Sequence, residues 1–206
     1  MNSANGHHRQ RGLPSVKDKR SGNREDAQLA HYPAPTMKAF CVSLFLLFAS
    51  TGISAQPVAT VEVGQTLRDA PLPALSGPAS RFNDYRGKPL LINVWASWCG
   101  PCRAEMASLD RLSRRFPSQL KVIGISTDDY PEKASAFLKK ANTAFPHYLD
   151  GKPFPLETQL GANRIPLTVL IDAEGRVIAK SYGAREWDSP EAVEAIGKAL
   201  KVKLGG

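Results

Sequence analysis

Two cysteines separated by two residues are the side chains of this sequence best suited to chemistry. Cys99 and Cys102 stand in the segment WCGPC, residues 98–102, and the third cysteine, Cys41, lies in a stretch typical of a removable signal. Two thiols at this spacing can close to a disulfide and open again, which makes the pair a two-electron redox couple. The spacing therefore predicts dithiol–disulfide exchange.

A metal site is the main alternative for such a pair. Zinc requires four ligands, but after Ala55 the chain has one histidine, His147, and no cysteine besides this pair. Linear Cu(I) between the two thiolates stays open, although copper carriers usually supply more soft ligands than Met106 and His147. A permanently closed structural disulfide also stays open, but so small a loop restricts little chain entropy. We expect no metal and no cofactor other than the redox-active disulfide.

Composition excludes little, but it bounds the size and the partners of the protein. The chain has 206 residues, of which 42% are hydrophobic, enough for one globular domain. Its formal net charge is +8, and residues 1–55 hold seven basic and three acidic residues. Because no basic stripe interleaved with aromatic residues is present, we expect no nucleic-acid partner.

The first 55 residues look like two segments outside the folded domain. Residues 1–36 are polar and rich in Gly, Pro and Ser, which predicts disorder. From Met37, a basic start, an apolar run at 39–49 and small residues up to Ala55 are typical of a cleavable signal peptide, with an uncleaved anchor as the alternative. Since a signal peptide should begin a chain, we interpret residues 1–36 as a wrongly assigned extension. The predicted location is the periplasm, free or membrane-anchored.

Hydrophobic spacing predicts an α/β domain over residues 72–203, preceded by an extended, loosely attached lead-in at 56–71. Continuous apolar runs predict buried strands, and apolar residues at helical spacing predict helices. The predicted elements are edge strands at 72–75 and 80–82, strands at 90–95, 120–126, 167–172 and 176–180, and helices at 101–116, 131–141, 154–160 and 190–201. Asp128 or Asp129 is expected near the start of the helix at 131–141. This order of elements predicts a mixed sheet with helices on both faces.

The cysteine pair follows a buried strand and opens a helix. The positive end of the helix dipole and the free N–H groups there stabilise a thiolate, which predicts that Cys99 is the nucleophile. Cys102 lies one turn further in, is expected to be more buried, and would resolve the mixed disulfide. Gly100 permits the tight turn, and Pro101 suits the first helical turn.

Three motifs together carry a resemblance to a known family. They are YRGKP at 85–89, NVWASWCGPCRAE at 93–105 and IPLTVLID at 165–172. Over about residues 70–202 the chain resembles the thioredoxin superfamily, and more closely its exported, redoxin-like reductases of the TlpA/ResA type, which include cytochrome c maturation proteins. The resemblance implies a thioredoxin-like α/β fold and protein disulfides as substrates, and we expect a monomer.

The resemblance also implies roles for particular residues. From the residues alone, the Ile165–Pro166 bond is expected to be trans. The resemblance implies instead that Pro166 is a cis-proline facing the cysteines, with the backbone at Ile165 free to pair with an extended substrate. It further implies that Glu105 is a buried carboxyl able to take a proton from Cys102. A solvated glutamate in the first helical turn is the alternative interpretation of Glu105.

Three departures from the family pattern bear on these roles. Asn93 stands where thioredoxin has a buried aspartate, and an amide cannot accept a proton as that carboxyl does. Ala107 stands where many relatives have a proline, so a helix kink is in doubt there. The Gly100-Pro101 dipeptide is that of thioredoxin itself, whereas the exported reductases vary there.

The remaining aromatic residues give weaker signals. Trp95 is expected in the core, and Trp98 is expected to be partly exposed as an apolar rim of the substrate groove. The sequence indicates no role for Tyr148, Trp187 or His147.

The leading prediction is an exported thiol-disulfide oxidoreductase that acts mainly as a reductant of protein disulfides. Its electrons would come from a membrane thiol transporter of the DsbD/CcdA kind, and its clients would be apocytochrome c, a copper-site assembly protein or misfolded proteins. The alternatives are a disulfide donor or isomerase, and a non-enzymatic Cu(I) carrier. The Gly-Pro dipeptide argues against a donor, because thioredoxin lies at about −270 mV and the oxidant DsbA at about −120 mV.

Overall fold

The computed structural model describes residues 59–151 and 155–204, so the segments predicted at 1–36 and 37–55 lie outside the described residues. The strands are β1 Pro71–Leu72, β2 Ala74–Ser76, β3 Ser80–Arg81, β4 Leu90–Trp95, β5 Lys121–Ser126, β6 His147–Leu149, β7 Leu167–Ile171 and β8 Val177–Tyr182. The α-helices are α1 Gly100–Arg115, α2 Pro131–Ala141, α3 Leu156–Leu160 and α4 Pro190–Leu200, and a short 3₁₀ helix covers Phe82–Tyr85. None of these helices is both long enough and apolar enough to span a bilayer.

Six strands form one mixed sheet in the order β2-β6-β5-β4-β7-β8. In it β4 pairs in parallel with β5 and antiparallel with β7. Every residue of β4 is buried, as expected for a central strand with both faces covered. The thioredoxin-like α/β fold predicted from the motifs is therefore confirmed. The strand that leads to the cysteines, β4, is an interior strand of the sheet, between β5 and β7.

Alternate residues of β4 enter two separate hydrophobic cores, as the two-residue period of a strand requires. Leu91 and Trp95 pack with apolar residues of α1, α2 and α4. Leu90, Ile92 and Val94 pack with α3 and with residues 61–72. Asn93 lies on the same face as Leu91 and Trp95, so this polar side chain points toward the helix that carries the cysteines.

The observed strands and helices agree closely with the predicted ones, with three differences. The single edge strand predicted at 72–75 is divided between β1 and β2, which belong to different sheets. The short strand β6 is missing from the sequence-based expectation, although it joins β2 to the rest of the sheet. Helix α2 begins after Tyr130 without a side-chain cap. Asp128, predicted near the start of α2, instead binds the loop that precedes the cysteines.

The expected lead-in is attached more firmly than its sequence indicates. Val61 and Leu67 are buried, and the amide of Val61 donates to the carbonyl of Gln159 at 2.8 Å. The amide of Leu67 donates to the carbonyl of Gly175 at 2.9 Å. The expectation of loose attachment is therefore wrong for residues 59–70, because their apolar side chains complete the core beside α3.

Candidate active site

Cys99 and Cys102 lie at the junction of β4 and α1 and are joined as a disulfide, with their Cα atoms 5.3 Å apart. Cys99 is the N-cap residue of α1, and its Sγ accepts a hydrogen bond from the amide of Cys102 at 3.2 Å. Cys99 is 5% exposed, whereas Cys102 is fully buried. Pro101 lies in the first turn of α1, where its missing N–H costs nothing.

The loop between β4 and α1 is fastened to the neighbouring strand by one carboxylate. Asp128 accepts hydrogen bonds from the amide of Ser97 at 2.8 Å and from its hydroxyl at 2.6 Å. The hydroxyl of Ser126, the last residue of β5, donates to the same carboxylate at 2.7 Å. Hydrogen bonds to an ionised acceptor are the stronger ones, so Asp128 fixes the turn from which the cysteines emerge.

The turn that contains Ile165 and Pro166 lies at the same end of the sheet as the cysteines. The Ile165–Pro166 peptide bond is cis, so the trans expectation from the residues alone is wrong and the isomer implied by the resemblance is present. Val94 pairs with Leu167 across the β4–β7 ladder. Pro166 therefore enters β7 opposite the end of β4, next to the loop that leads to Cys99. Ile165 beside it is half-buried.

Glu105 lies on α1 three residues after Cys102, which places both side chains on one face of the helix. It is 2% exposed, so the interpretation as a solvated first-turn glutamate is wrong. Its Oε1 accepts a hydrogen bond from Nδ2 of Asn93 at 2.7 Å. Its Oε2 accepts from Nε1 of Trp187 at 2.8 Å and from the amide of Arg185 at 3.2 Å.

Burial and hydrogen bonding act in opposite directions on this carboxyl. Burial disfavours the charged form and raises the pKa of Glu105, and the hydrogen bonds from Trp187, Asn93 and Arg185 partly offset that rise. The net effect is a pKa above the usual value. A buried carboxyl with a raised pKa, on the same helix as Cys102, holds a proton more readily than an exposed glutamate, which suits it to proton exchange.

Asn93 connects the carboxyl to the sheet. Its Nδ2 also approaches the hydroxyl of Thr168, its partner in the β4–β7 ladder, at 3.3 Å. The Oδ1 atom of Asn93 is buried and has no hydrogen-bond partner among the described residues. The amide that replaces the aspartate of thioredoxin is thus a donor to Glu105.

The aromatic residues occupy contrasting environments. Trp95 is fully buried as predicted, and Trp98, directly before Cys99, is 70% exposed. Trp187, for which the sequence indicates no role, is buried against Glu105. Its position could not be found from the motif, because it lies 82 residues beyond Glu105 in a loop. Tyr148 and His147 lie in β6 and are both buried.

Metal-binding side chains are sparse in the part of the chain that the structure describes. Within residues 59–151 and 155–204, no three or more His, Cys, Asp or Glu side chains cluster as metal ligands would.

A redox disulfide at the start of a helix, beside a cis-proline and on a thioredoxin-like sheet, defines the class of thioredoxin-like thiol-disulfide oxidoreductases. The Redoxin family model matches residues 62–196, and the chain belongs to this family. The chain is a thiol-disulfide oxidoreductase of the ResA/DsbE type, as its relatives indicate.

Two curated relatives and one solved structure illustrate the similarity. The thiol-disulfide oxidoreductase ResA of Geobacillus thermodenitrificans is 30% identical over 142 residues, which cover 66% of this chain and 81% of ResA. The thiol:disulfide interchange protein DsbE of Vibrio cholerae is 32% identical over 148 residues, covering 69% of this chain and 78% of DsbE. A DsbE-type crystal structure from Chlorobium tepidum superimposes with a TM-score of 0.62 at 26% identity, covering 68% of this chain and 99% of the other.

Proposed function

We propose that this protein is an exported reductant of protein disulfides in which Cys99 attacks and Cys102 resolves. The observation that carries the proposal is the asymmetry of the pair. Cys99 caps the N-terminus of α1 and its Sγ accepts the Cys102 amide, whereas Cys102 is fully buried. A thiolate at Cys99 is stabilised by that N–H group and by the helix dipole.

The reaction consists of two successive thiol–disulfide exchange steps. The Cys99 thiolate attacks one sulfur of the substrate disulfide, and the other substrate sulfur leaves as a thiolate that takes a proton from solvent. Cys102 then gives up its proton to Glu105 and attacks Cys99, which breaks the mixed disulfide. The second substrate sulfur leaves as a thiolate and takes up a proton in turn, so the substrate departs with two thiols. The two electrons that reduce the substrate come from the two cysteines, which are left as the Cys99–Cys102 disulfide.

The substrate surface lies around the two turns at one edge of the sheet. The exposed indole of Trp98 supplies an apolar rim, and the turn at Gly100 and Pro101 brings the substrate backbone close to Cys99. An extended substrate segment pairs with the backbone at Ile165, which leads into Pro166. Such backbone pairing recognises an extended chain with little regard to its side chains, which suits a disulfide reductant.

Export is supported by the signal-like segment that begins at Met37. The disulfide formed in each cycle must be reduced before the next one. The periplasm is kept oxidising, so a dedicated electron donor is needed there. We therefore assign a membrane thiol transporter of the DsbD/CcdA kind as the electron donor. Apocytochrome c and copper-site assembly proteins are the client classes to test, since both must present reduced cysteines. The proposed oligomeric state is a monomer.

A trapping experiment tests the proposal. Cys102→Ala in the full chain should accumulate mixed disulfides through Cys99, and mass spectrometry of the reducible adducts identifies the clients. The matched control, Cys99→Ala, should accumulate none, because the buried Cys102 is inaccessible to a folded substrate. Equal trapping by both variants, or none by Cys102→Ala in cells where the wild type is reduced, would contradict the proposal.

N-terminal sequencing of the exported protein tests the location. We expect the mature chain to begin after Ala55. A mature start upstream of Met37 would refute the assignment of the signal peptide.

A further inference from the structure

The segment between β8 and α4, residues 183–189, supplies two of the three hydrogen bonds that Glu105 accepts. Both go to Oε2, one from the indole Nε1 of Trp187 at 2.8 Å and one from the amide of Arg185 at 3.2 Å. Trp187 is 4% exposed, so its N–H has little access to water. The indole N–H is a donor only, and this carboxylate oxygen satisfies it.

The same segment is anchored to α1 one turn beyond Glu105. The hydroxyl of Ser108 accepts a hydrogen bond from the amide of Trp187 at 3.1 Å and lies 3.3 Å from the carbonyl oxygen of Arg185. Further along α1, Arg111 forms ion pairs with Asp188, at 2.6 Å, and with Glu186. Glu105 and the segment are thereby held in one register, although they are some 80 residues apart in the chain.

We propose that Trp187 is a positioning residue for the proton acceptor, because its indole N–H fixes the orientation of the Glu105 carboxylate. The catalytic part of this inference rests on the proposed function, in which Glu105 takes the proton of Cys102. The geometric part stands on the hydrogen bonds alone. With Oε2 bound on one side by Trp187 and Oε1 on the other by Asn93, the carboxylate plane cannot rotate without breaking a buried hydrogen bond.

The indole also tunes how readily Glu105 holds a proton. A donor to the ionised carboxylate stabilises the charged form, and the loss of that donor leaves the cost of burial less opposed. Without the Trp187 N–H, Glu105 should therefore hold its proton to a higher pH.

The decisive experiment compares Trp187→Phe with the wild type in the oxidised, full-length protein. Phenylalanine keeps an aromatic ring but has no N–H. Carboxyl ¹³C NMR should show the Glu105 midpoint move upward by about one pH unit, the effect of one hydrogen bond to a charged group. In the reduced protein, the pH profile of mixed-disulfide resolution by Cys102 should move in the same direction.

The control is Arg111→Gln, which removes the exposed ion pairs of the segment and leaves the donors to Glu105 in place. Its Glu105 midpoint should match the wild type, because exposed ion pairs contribute little. An unchanged midpoint in a folded Trp187→Phe protein would overturn the proposal. A shift of equal size in Arg111→Gln would overturn it too, since loosening the segment would then suffice.

A measurement on the wild type keeps the test independent of folding in the variant. The indole ¹H–¹⁵N resonance of Trp187 should titrate with the same midpoint as the Glu105 carboxyl, and an indole resonance that does not respond would refute the contact. If the carboxyl shifts in Trp187→Phe but the pH profile of resolution does not, the hydrogen bond is upheld and Glu105 is not the proton acceptor. That outcome would contradict the proposed role of Glu105 as proton acceptor, and with it the catalytic part of this inference, but it would leave the geometric part intact.

Discussion

Asn93→Asp is the substitution that most sharply tests the electrostatics of the site. Asn93 donates to Glu105 over 2.7 Å, and the other two donors to Glu105 are likewise neutral. An aspartate in this place would put a second carboxyl against the first, and none of the groups that donate to Glu105 carries a charge that would offset the repulsion. Two carboxyls in such contact must share one proton.

The size of the effect follows from the distance. With an oxygen in the place of Asn93 Nδ2, the two charge centres would lie ~4 Å apart, and at an effective dielectric constant of about 20 they repel by about 4 kcal/mol. That energy separates the two ionisations by about 3 pH units. The pair should therefore keep one proton through neutral pH, and the two steps belong to the pair rather than to either residue.

The assay is a carboxyl ¹³C NMR titration of the oxidised protein, in which the disulfide contributes no thiol. The matched control, Asn93→Ser, removes the amide without adding a charge, so its Glu105 should titrate in a single step. Two overlapping steps in Asn93→Asp, as for independent carboxyls, would refute the contact between these side chains and with it the described network around Glu105.

Two further predictions concern stability. A Cβ at Gly124 would clash with the buried ring of His147, so Gly124→Ala should lower the free energy of unfolding, measured in urea, by about 1–3 kcal/mol. Gly100→Ala, whose added Cβ meets nothing within 4 Å, is the control, and equal stability of the two variants would contradict the packing. Burial lowers the pKa of His147 from 6.5 to about 3, and the nearby charge of Asp110 offsets a smaller part of that decrease. Between these values the unfolded chain binds a proton that the folded chain does not, so the free energy of unfolding should fall by about 1.4 kcal/mol per pH unit on acidification. His147→Gln should reduce that slope in urea titrations, and an unchanged slope would show that the histidine is not buried in its neutral form.

The fold could be predicted largely from the spacing of apolar residues. The continuous apolar run of β4 and the helical spacing in α1 each specify one element, and both have the predicted bounds to within one residue. The strand β6 could not be found in this way, because it has three residues and begins with a histidine. Its place is fixed by pairing with β5 and β2, which are distant in sequence.

The candidate site likewise has features that local sequence reveals and features that depend on residues distant in the chain. The disulfide pair is visible in the sequence because its spacing is local, and Glu105 is visible as part of the same motif. The environment of Glu105 is not, since Trp187 approaches from a loop that has no periodic pattern. The sequence predicts Asp128 near the start of α2, but its carboxylate binds Ser97 in the loop before the cysteines, a contact that no local pattern indicates.

The reduction potential of the Cys99–Cys102 couple tests most directly whether this oxidoreductase acts as a reductant. The folded protein is equilibrated with thiol–disulfide buffers of known potential, and the reduced fraction is read from alkylated mass. We predict a value close to that of thioredoxin, about −270 mV. A value close to that of DsbA, about −120 mV, would contradict the account and identify the protein as a disulfide donor.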